Sequence, residues 1–488
     1  MLKRIVILFV FSLFILFSLQ AQELDKNLKN GFDSIQPMDP YNYCKKMADP
    51  EFAGRLTGHE GYTAAAKWAV DKFAQWGLKP ISKKEGYLQS FPCPFTVVDS
   101  ARLILKVNKI KDKNETTFED VELQAGKDFL PLLFTDSGDV TAEVVFSGWG
   151  ICAPELGYDD YSGLDVKGKF VLCFRGVPDR KELKFEDFDQ HRHRMQTAKE
   201  KGALGIFYIY PDPIANPNGD WIDDFTPVII SEKAADMLFE EKNIKAADLK
   251  KDLQTYKKPL SFSLNSKVNY KVQSQHFPKG IGYNIACYIE GSDPELKKKC
   301  LVIGGHYDHC GEHLGMLFAG ANDNASGSAV VMEVAEAFSK LQRKPKRSVV
   351  FVLFGAEEMG LLGSNYFVDH LPSQFDKVTG MFNFDMVGEG DGTSCGYSAS
   401  AKELMQVIEK ADKHVHTLKR TWEIKHVGVR SSDFAPFFLK GAACASFFSN
   451  GPHLHYHKTG DTIYRINPDM LADIARLAFL SAYEWADR

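Results

Sequence analysis

Cys300-Leu301-Val302-Ile303-Gly304-Gly305-His306 is a short apolar run that ends on an imidazole, and its reading decides the fold. The run predicts a strand. Residues 326–341 follow with Val330, Val334, Ala337, Phe338 and Leu341 at helical spacing, so one face of a helix is apolar. Ser348-Val349-Val350-Phe351-Val352-Leu353-Phe354 is a second strand-like run, and residues 378–384 form a third, less regular one. Strand, helix, strand with apolar strands means an α/β arrangement with a largely parallel sheet, and such sheets carry their chemistry at the C-terminal strand ends. A polar residue stands past each run: His306 after the first, Glu357-Glu358 after the second, Asp385 after the third. All of them converge on one edge of the sheet.

Working outward, Gly320-Ala321-Asn322-Asp323-Asn324-Ala325-Ser326-Gly327 lies between the first run and the helix, and Tyr456-His457-Lys458-Thr459-Gly460-Asp461 lies near the C-terminus. A histidine at a strand end is ordinarily a satisfied polar residue, an acidic pair a solvated one, and a lone aspartate a turn residue. Together the two imidazoles, three further carboxylates and one spare glutamate suit a pair of hydrolytic metal ions. Zinc accepts imidazole nitrogen and carboxylate oxygen equally well.

These motifs resemble the secreted co-catalytic dizinc aminopeptidase family, whose relatives include glutamate carboxypeptidases, glutaminyl cyclases and the transferrin receptor. The similarity runs from Ala53-Gly54-Arg55-Leu56-Thr57-Gly58 through Gly77-Leu78-Lys79-Pro80 to His457-Lys458-Thr459-Gly460-Asp461-Thr462. The resemblance implies a zinc-exopeptidase fold, a mixed, largely parallel sheet flanked by helices. It implies two zinc ions, one held by His306 and Asp385, the other by Glu358 and His457, with Asp323 bridging. Three ligand carboxylates and a hydroxide would cancel the charge of two divalent cations. It further implies that Glu357 is the general base, that Asp308 accepts the proton on the other ring nitrogen of His306, and that Tyr456 stabilises the oxyanion. A cis peptide is expected at Asp323-Asn324, whereas His309 and His313 receive no role. The family stretch Gly-Arg-Ser-Asp-His-x-Pro-Phe is altered here to Val429-Arg430-Ser431-Ser432-Asp433-Phe434-Ala435-Pro436-Phe437, which moves the arginine and replaces the histidine.

The 488 residues allow two or three domains. Residues 1–21 read as a signal peptide, because a basic start precedes an apolar run shorter than the ~20 residues a spanning helix needs. A secreted or periplasmic protein without stable membrane insertion is expected. The net charge of −5 with both signs interspersed argues against a nucleic-acid partner. Nine scattered cysteines suggest no thiolate zinc site and leave any pairing open. Alternation near residues 140–150, a helix ending near residue 201 and a strand at 204–210 resemble the protease-associated domain that family members insert. The expected division is a catalytic domain of residues 22–127 and 266–488 and a mostly-β insert of residues 128–265. Within the insert, the stretch 180–200 with His191 and His193 reads as a solvated helix face.

The leading expectation is an exopeptidase that takes peptides and releases N-terminal amino acids. Glu357, Asp385 and Asp308 surround the metals with negative charge, which suits a free amine. Phe434, Phe437, Phe447 and Phe448 are expected to line the site and favour apolar first residues. The alternatives are a carboxypeptidase or dipeptidase of the same family, a glutaminyl cyclase, or an inactive receptor-like binding protein.

Overall fold

The computed structural model describes residues 24–112, 115–179, 184–391, 394–426 and 431–488. The expected signal peptide and Arg430 lie outside the described residues.

Nine strands build the sheet that carries the site, and the seven that follow residue 280 are β1 (Ile281–Ile289), β2 (Lys299–His306), β3 (Ser348–Phe354), β4 (Lys377–Phe384), β5 (Cys395–Ala399), β6 (Leu418–Glu423) and β7 (Ala443–Ser449). Their order is β1-β3-β2-β4-β7-β5-β6, and short strands at Lys79–Pro80 and Leu88–Pro92 pair with β1. The central four, β3-β2-β4-β7, are mutually parallel. β1 runs antiparallel to β3, and β5 antiparallel to β7, so the sheet is mixed. The parallel centre follows from residue type: every residue of β3 is buried, and strands covered on both faces read as unbroken apolar runs.

Helix α1 (Glu60–Gln75) and helices α2 (Gly327–Ser339) and α4 (Pro468–Asp487) supply the larger of the two flanking cores, with Val330, Val334, Phe338, Leu477 and Phe479 against the sheet. Helix α3 (Leu362–Asp369) and the short helix Phe434–Leu439 cover the opposite face through Phe367 and Phe437. Register explains the convergence of the site. His306 pairs with Phe354 and Gly304 with Asn383, so β2, β3 and β4 end at one level.

A second, eight-stranded sheet draws its strands from Phe95–Asp112 through Ser261–Phe277. It therefore reaches beyond residues 128–265 on both sides. The long strand Phe95–Asp112 pairs with Ser261–Phe277, and the two ladders cannot be assigned to different sheets. The expected helix and strand are present as His191–Glu200 and Gly205–Tyr210. The helix is not a solvated face throughout. His191 and Arg194 are buried, and Asp189 Oδ1 receives both Arg175 Nε (3.0 Å) and Arg194 Nη1 (3.2 Å). A charged sequence can be interior when its charges find one another. All nine cysteines are free thiols.

Candidate functional site

His306 ends β2, and its Nδ1 lies 3.1 Å from the backbone carbonyl of Asp308. A carbonyl only accepts, so Nδ1 carries the proton and Nε2 turns a lone pair into the site. The Asp308 carboxylate, expected in that role, is farther away at 3.7 Å. It is occupied elsewhere, accepting the amide N–H of Glu357 at 3.1 Å and of Glu358 at 3.2 Å. Asp308 thus fixes the acidic pair through its side chain and His306 through its backbone.

His457 is oriented by the same device from a different source. Its Nδ1 donates to the carbonyl of Ala215 at 2.8 Å, and the Ala215 N–H donates back to the His457 carbonyl at 3.0 Å. Ala215 belongs to the segment between Gly205–Tyr210 and Thr226–Ser231, so the eight-stranded unit contributes directly to the site. Lys458 adds an ion pair to Asp212 at 2.9 Å.

The donor atoms fall into two groups. His306 Nε2 is 3.4 Å from Asp323 Oδ1 and 3.5 Å from Asp385 Oδ1. His457 Nε2 is 3.2 Å from Asp323 Oδ2 and 2.9 Å from Glu358 Oε2. Asp323 presents one oxygen to each group. Ligands bound to one tetrahedral zinc at about 2.0–2.2 Å lie about 3.3–3.6 Å apart, and most of these separations fall at or near that spacing. Asp323 Oδ2 and His457 Nε2 are buried without a hydrogen-bond partner, which a cation between them would supply. The residues fit metal.

Asp323 is itself held firmly. Asp461 accepts the amide N–H groups of Asn322 (2.7 Å) and Asp323 (3.0 Å), one per carboxylate oxygen. The Asp323-Asn324 peptide is cis. Arg55, fully buried, gives Nε to the Tyr307 carbonyl (2.6 Å), Nη1 to those of Met47 (2.5 Å) and Ala319 (2.8 Å), and Nη2 to that of Gly320 (2.8 Å). One guanidinium therefore ties the loop after His306 to the loop before Asp323. The motif at residues 53–58 has this structural meaning.

Glu357 and Glu358 are neighbours in opposite electrostatic settings. Burial holds the Glu357 carboxyl well above the usual range, with the charges of Glu358, Asp433 and Asp385 adding to it and His306 opposing. Burial acts on Glu358 in the same sense, but the contacts with His457 and His309 prevail and hold it well below. Adjacent carboxyls driven apart are the pattern of one proton carrier beside one fixed anion. Glu357 Oε2 stands 3.9 Å from His306 Nε2, the most distant of the grouped carboxylates.

Tyr456 lies with its ring stacked on His457, centroids 3.8 Å apart, and is 45% exposed. Three of the four phenylalanines expected to line the site, Phe434, Phe437 and Phe447, do not. Phe437 packs with Phe354 and Phe367, and Phe447 stacks on Phe384 and Tyr397, all inside the cores. Phe434 is buried as well. Apolar residues beside a ligand in sequence alternate into the sheet's two covered faces rather than into the cleft. A cleft of about 340 Å³ does lie between the two units, lined by Phe95, Phe134, Trp221, Leu362 and Met359, the residue that follows Glu358 in the chain. Arg192 also borders it, near Gly360 and 3.6 Å from Asp220. His309, Asp461, Arg55 and Ala215 receive no individual role from the sequence, although His309, Asp461 and Arg55 lie within its motifs.

Residues 284–482 match the profile of Peptidase family M28. Leupeptin-inactivating enzyme 1 of Streptomyces exfoliatus is 36% identical over 174 residues, which are 35% of this chain and 37% of that protein. Aminopeptidase YwaD of Bacillus subtilis is 26% identical over 406 residues, covering 78% of this chain and 76% of that one. Among solved structures, BSAP, a zinc aminopeptidase from Bacillus subtilis, superposes with a TM-score of 0.62 at 18% identity, over 93% of this chain and 96% of that chain.

Proposed function

We propose that this chain, whose residues 284–482 match the profile of Peptidase family M28, is a zinc-dependent exopeptidase with a dinuclear centre that releases N-terminal amino acids. The observation that carries the reading is Asp323, whose two oxygens face the His306–Asp385 and His457–Glu358 groups separately. His306 and Asp385 would hold one zinc ion, Glu358 and His457 the other, with Asp323 shared. When bound, the ions would polarise the scissile carbonyl and make a water acidic enough to attack near neutral pH. Glu357, whose burial raises its affinity for a proton, would as a carboxylate take a proton from the attacking water and pass it to the leaving amine. Tyr456, stacked over His457, is the residue assigned to hold the oxyanion.

The free amine of the substrate is assigned to the acidic surround of Glu357, Asp385 and Asp308. The cleft with Phe95, Phe134 and Trp221 supports apolar side chains in place of the phenylalanines that turned out to be core. Arg192 is the one observation that favours the carboxypeptidase reading, and Asp220 partly offsets its charge. The proposal includes the eight-stranded unit as a protease-associated insert and export directed by residues 1–21. No helix among the described residues is long and apolar enough to cross a membrane.

The test compares a short peptide with a free N-terminus, its N-acetylated form and its C-terminal amide, alongside elemental analysis of the purified chain. Loss of hydrolysis on acetylation, with two zinc ions per chain, is the expected result. Equal hydrolysis of free and acetylated peptide with loss on amidation would establish the carboxypeptidase instead.

A further inference from the structure

His309, three residues after His306, is fully buried, and the dinuclear reading gives it no part. Its surroundings are built rather than accidental. The ring lies against Gly320, where a Cβ would come within 2.4 Å of ring atoms. Gly320 has φ +58°, so both its conformation and its missing side chain are needed to admit the ring. The backbone N–H of His309 donates to the Arg55 carbonyl at 3.2 Å, and Arg55 in turn holds the Gly320 carbonyl. The wedge that receives the imidazole is therefore closed on two sides by one buried arginine.

From this wedge Nδ1 reaches Glu358 Oε1 at 2.8 Å, while Glu358 Oε2 lies 2.9 Å from His457 Nε2. The carboxylate is divided between two imidazoles. One oxygen is bound by His309 and the other is left toward Asp323 and His457. Glu358 has three side-chain torsions, and its amide is fixed by Asp308, so the remaining freedom is in the side chain that His309 grips. The His309 and His457 rings meet edge to face at 5.4 Å, which limits sideways movement of both.

We propose that His309 is a positioning residue for the second metal site, holding Glu358 in the one orientation that presents Oε2 beside His457. The inference rests on the zinc reading above, since it concerns a ligand of that centre. Partners that orient metal ligands typically contribute about 10–100-fold in metal affinity, and His309 belongs to that range.

The experiment measures zinc retained by the full-length chain after dialysis against graded chelator, by elemental analysis, with the melting temperature of each metal-free form as a folding control. Wild type is compared with His309→Ala and His309→Asn. The asparagine amide nitrogen occupies nearly the position of Nδ1 and can donate the same bond. His309→Ala is expected to release one ion at about 10–100-fold lower chelator while keeping the other, and His309→Asn to restore retention. Alanine and wild type with equal retention would overturn the proposal. So would asparagine behaving as alanine while its metal-free form melts like wild type, because packing alone would then explain the residue. Should alanine fail to fold, the asparagine arm decides by the same retention criterion. A wild-type chain that holds a single ion refutes the dinuclear reading, whereas His309 is judged only by the ratio of variant to wild type.

Discussion

The two halves of the site are chemically alike and structurally unlike. The His306–Asp385 half is assembled from its own sheet: β2 ends in the histidine, β4 runs into the aspartate, and the orienting carbonyl is two residues away at Asp308. The His457–Glu358 half is assembled from distant parts. Its histidine leans on Ala215, 242 residues earlier, and its glutamate on His309, 49 residues earlier. The first half is thus as rigid as a buried parallel sheet, while the second depends on how the eight-stranded unit is seated. A metal pair can combine one position preformed by local geometry with one completed by a long-range contact. On the dinuclear reading, the His457–Glu358 position is the place where a movement of the eight-stranded unit would be felt.

The largest effect expected is on Glu357, which belongs to neither half. Glu357→Gln should lower kcat by roughly 10²–10⁴-fold while both metals stay bound, because the amide keeps the shape and loses only proton transfer. Glu358→Gln should instead release metal from the second half. Steady-state kinetics together with elemental analysis separates the two, and exchanged phenotypes would reverse the assignment within the pair.

Arg55 braces both halves, since it binds the loops that carry His306 and precede Asp323. Arg55→Met takes the guanidinium from four buried carbonyls, of which that of Gly320 keeps the Ala325 N–H, and a loss of about 3–5 kcal/mol in unfolding free energy is expected. A denaturant titration that moves by less than 1 kcal/mol would show that the loops hold themselves.

Glu333, on α2, provides a contrast outside the site. Burial pushes its carboxyl up to about 8, with Glu336 and Asp39 adding and Lys340 and Arg476 opposing, and neither oxygen has a hydrogen-bond partner. The folded chain therefore binds a proton there more tightly than the unfolded chain. Its contribution to stability is complete below pH 4.5, falls as pH rises from there through 8, and is lost above. Glu333→Gln mimics the protonated form, so its advantage over wild type should grow across that window to on the order of 3–5 kcal/mol at pH 9. Melting curves at pH 5 and pH 9 with an unchanged difference would refute this.

Smallest is the exposed pair at the seam. Lys458→Ala breaks the contact with Asp212 but leaves the Ala215 bonds intact, and a change of about 0–1 kcal/mol is expected, fading with salt. A large loss of the second metal in this variant would mean that side chains rather than the backbone pair hold the insert to the site.

Much of this was legible in residue order. Cys300 to His306 and Ser348 to Phe354 could only be buried strands, because unbroken apolar runs of that length have nowhere else to go. Once those strands were parallel and in register, the polar residues past their ends had to meet. Burial thus placed His306, Glu358 and Asp385 in one neighbourhood from sequence alone, with Glu357 beside them, whereas Asp323 and His457 joined them only through the family resemblance. The sequence did not distinguish the Asp308 carboxylate from its carbonyl, since both follow His306 by the same number of residues. It offered no sign of Ala215, because a backbone acceptor has no residue-specific signature and its partner is 242 residues away. It assigned Phe437 and Phe447 to the cleft, although side-chain direction depends on which face of the sheet is covered. Residue type and periodicity fixed what chemistry gathers and at which sheet edge. Tertiary structure alone decided which groups hold each ligand still, because orientation depends on hydrogen-bond partners that long-range packing brings into reach.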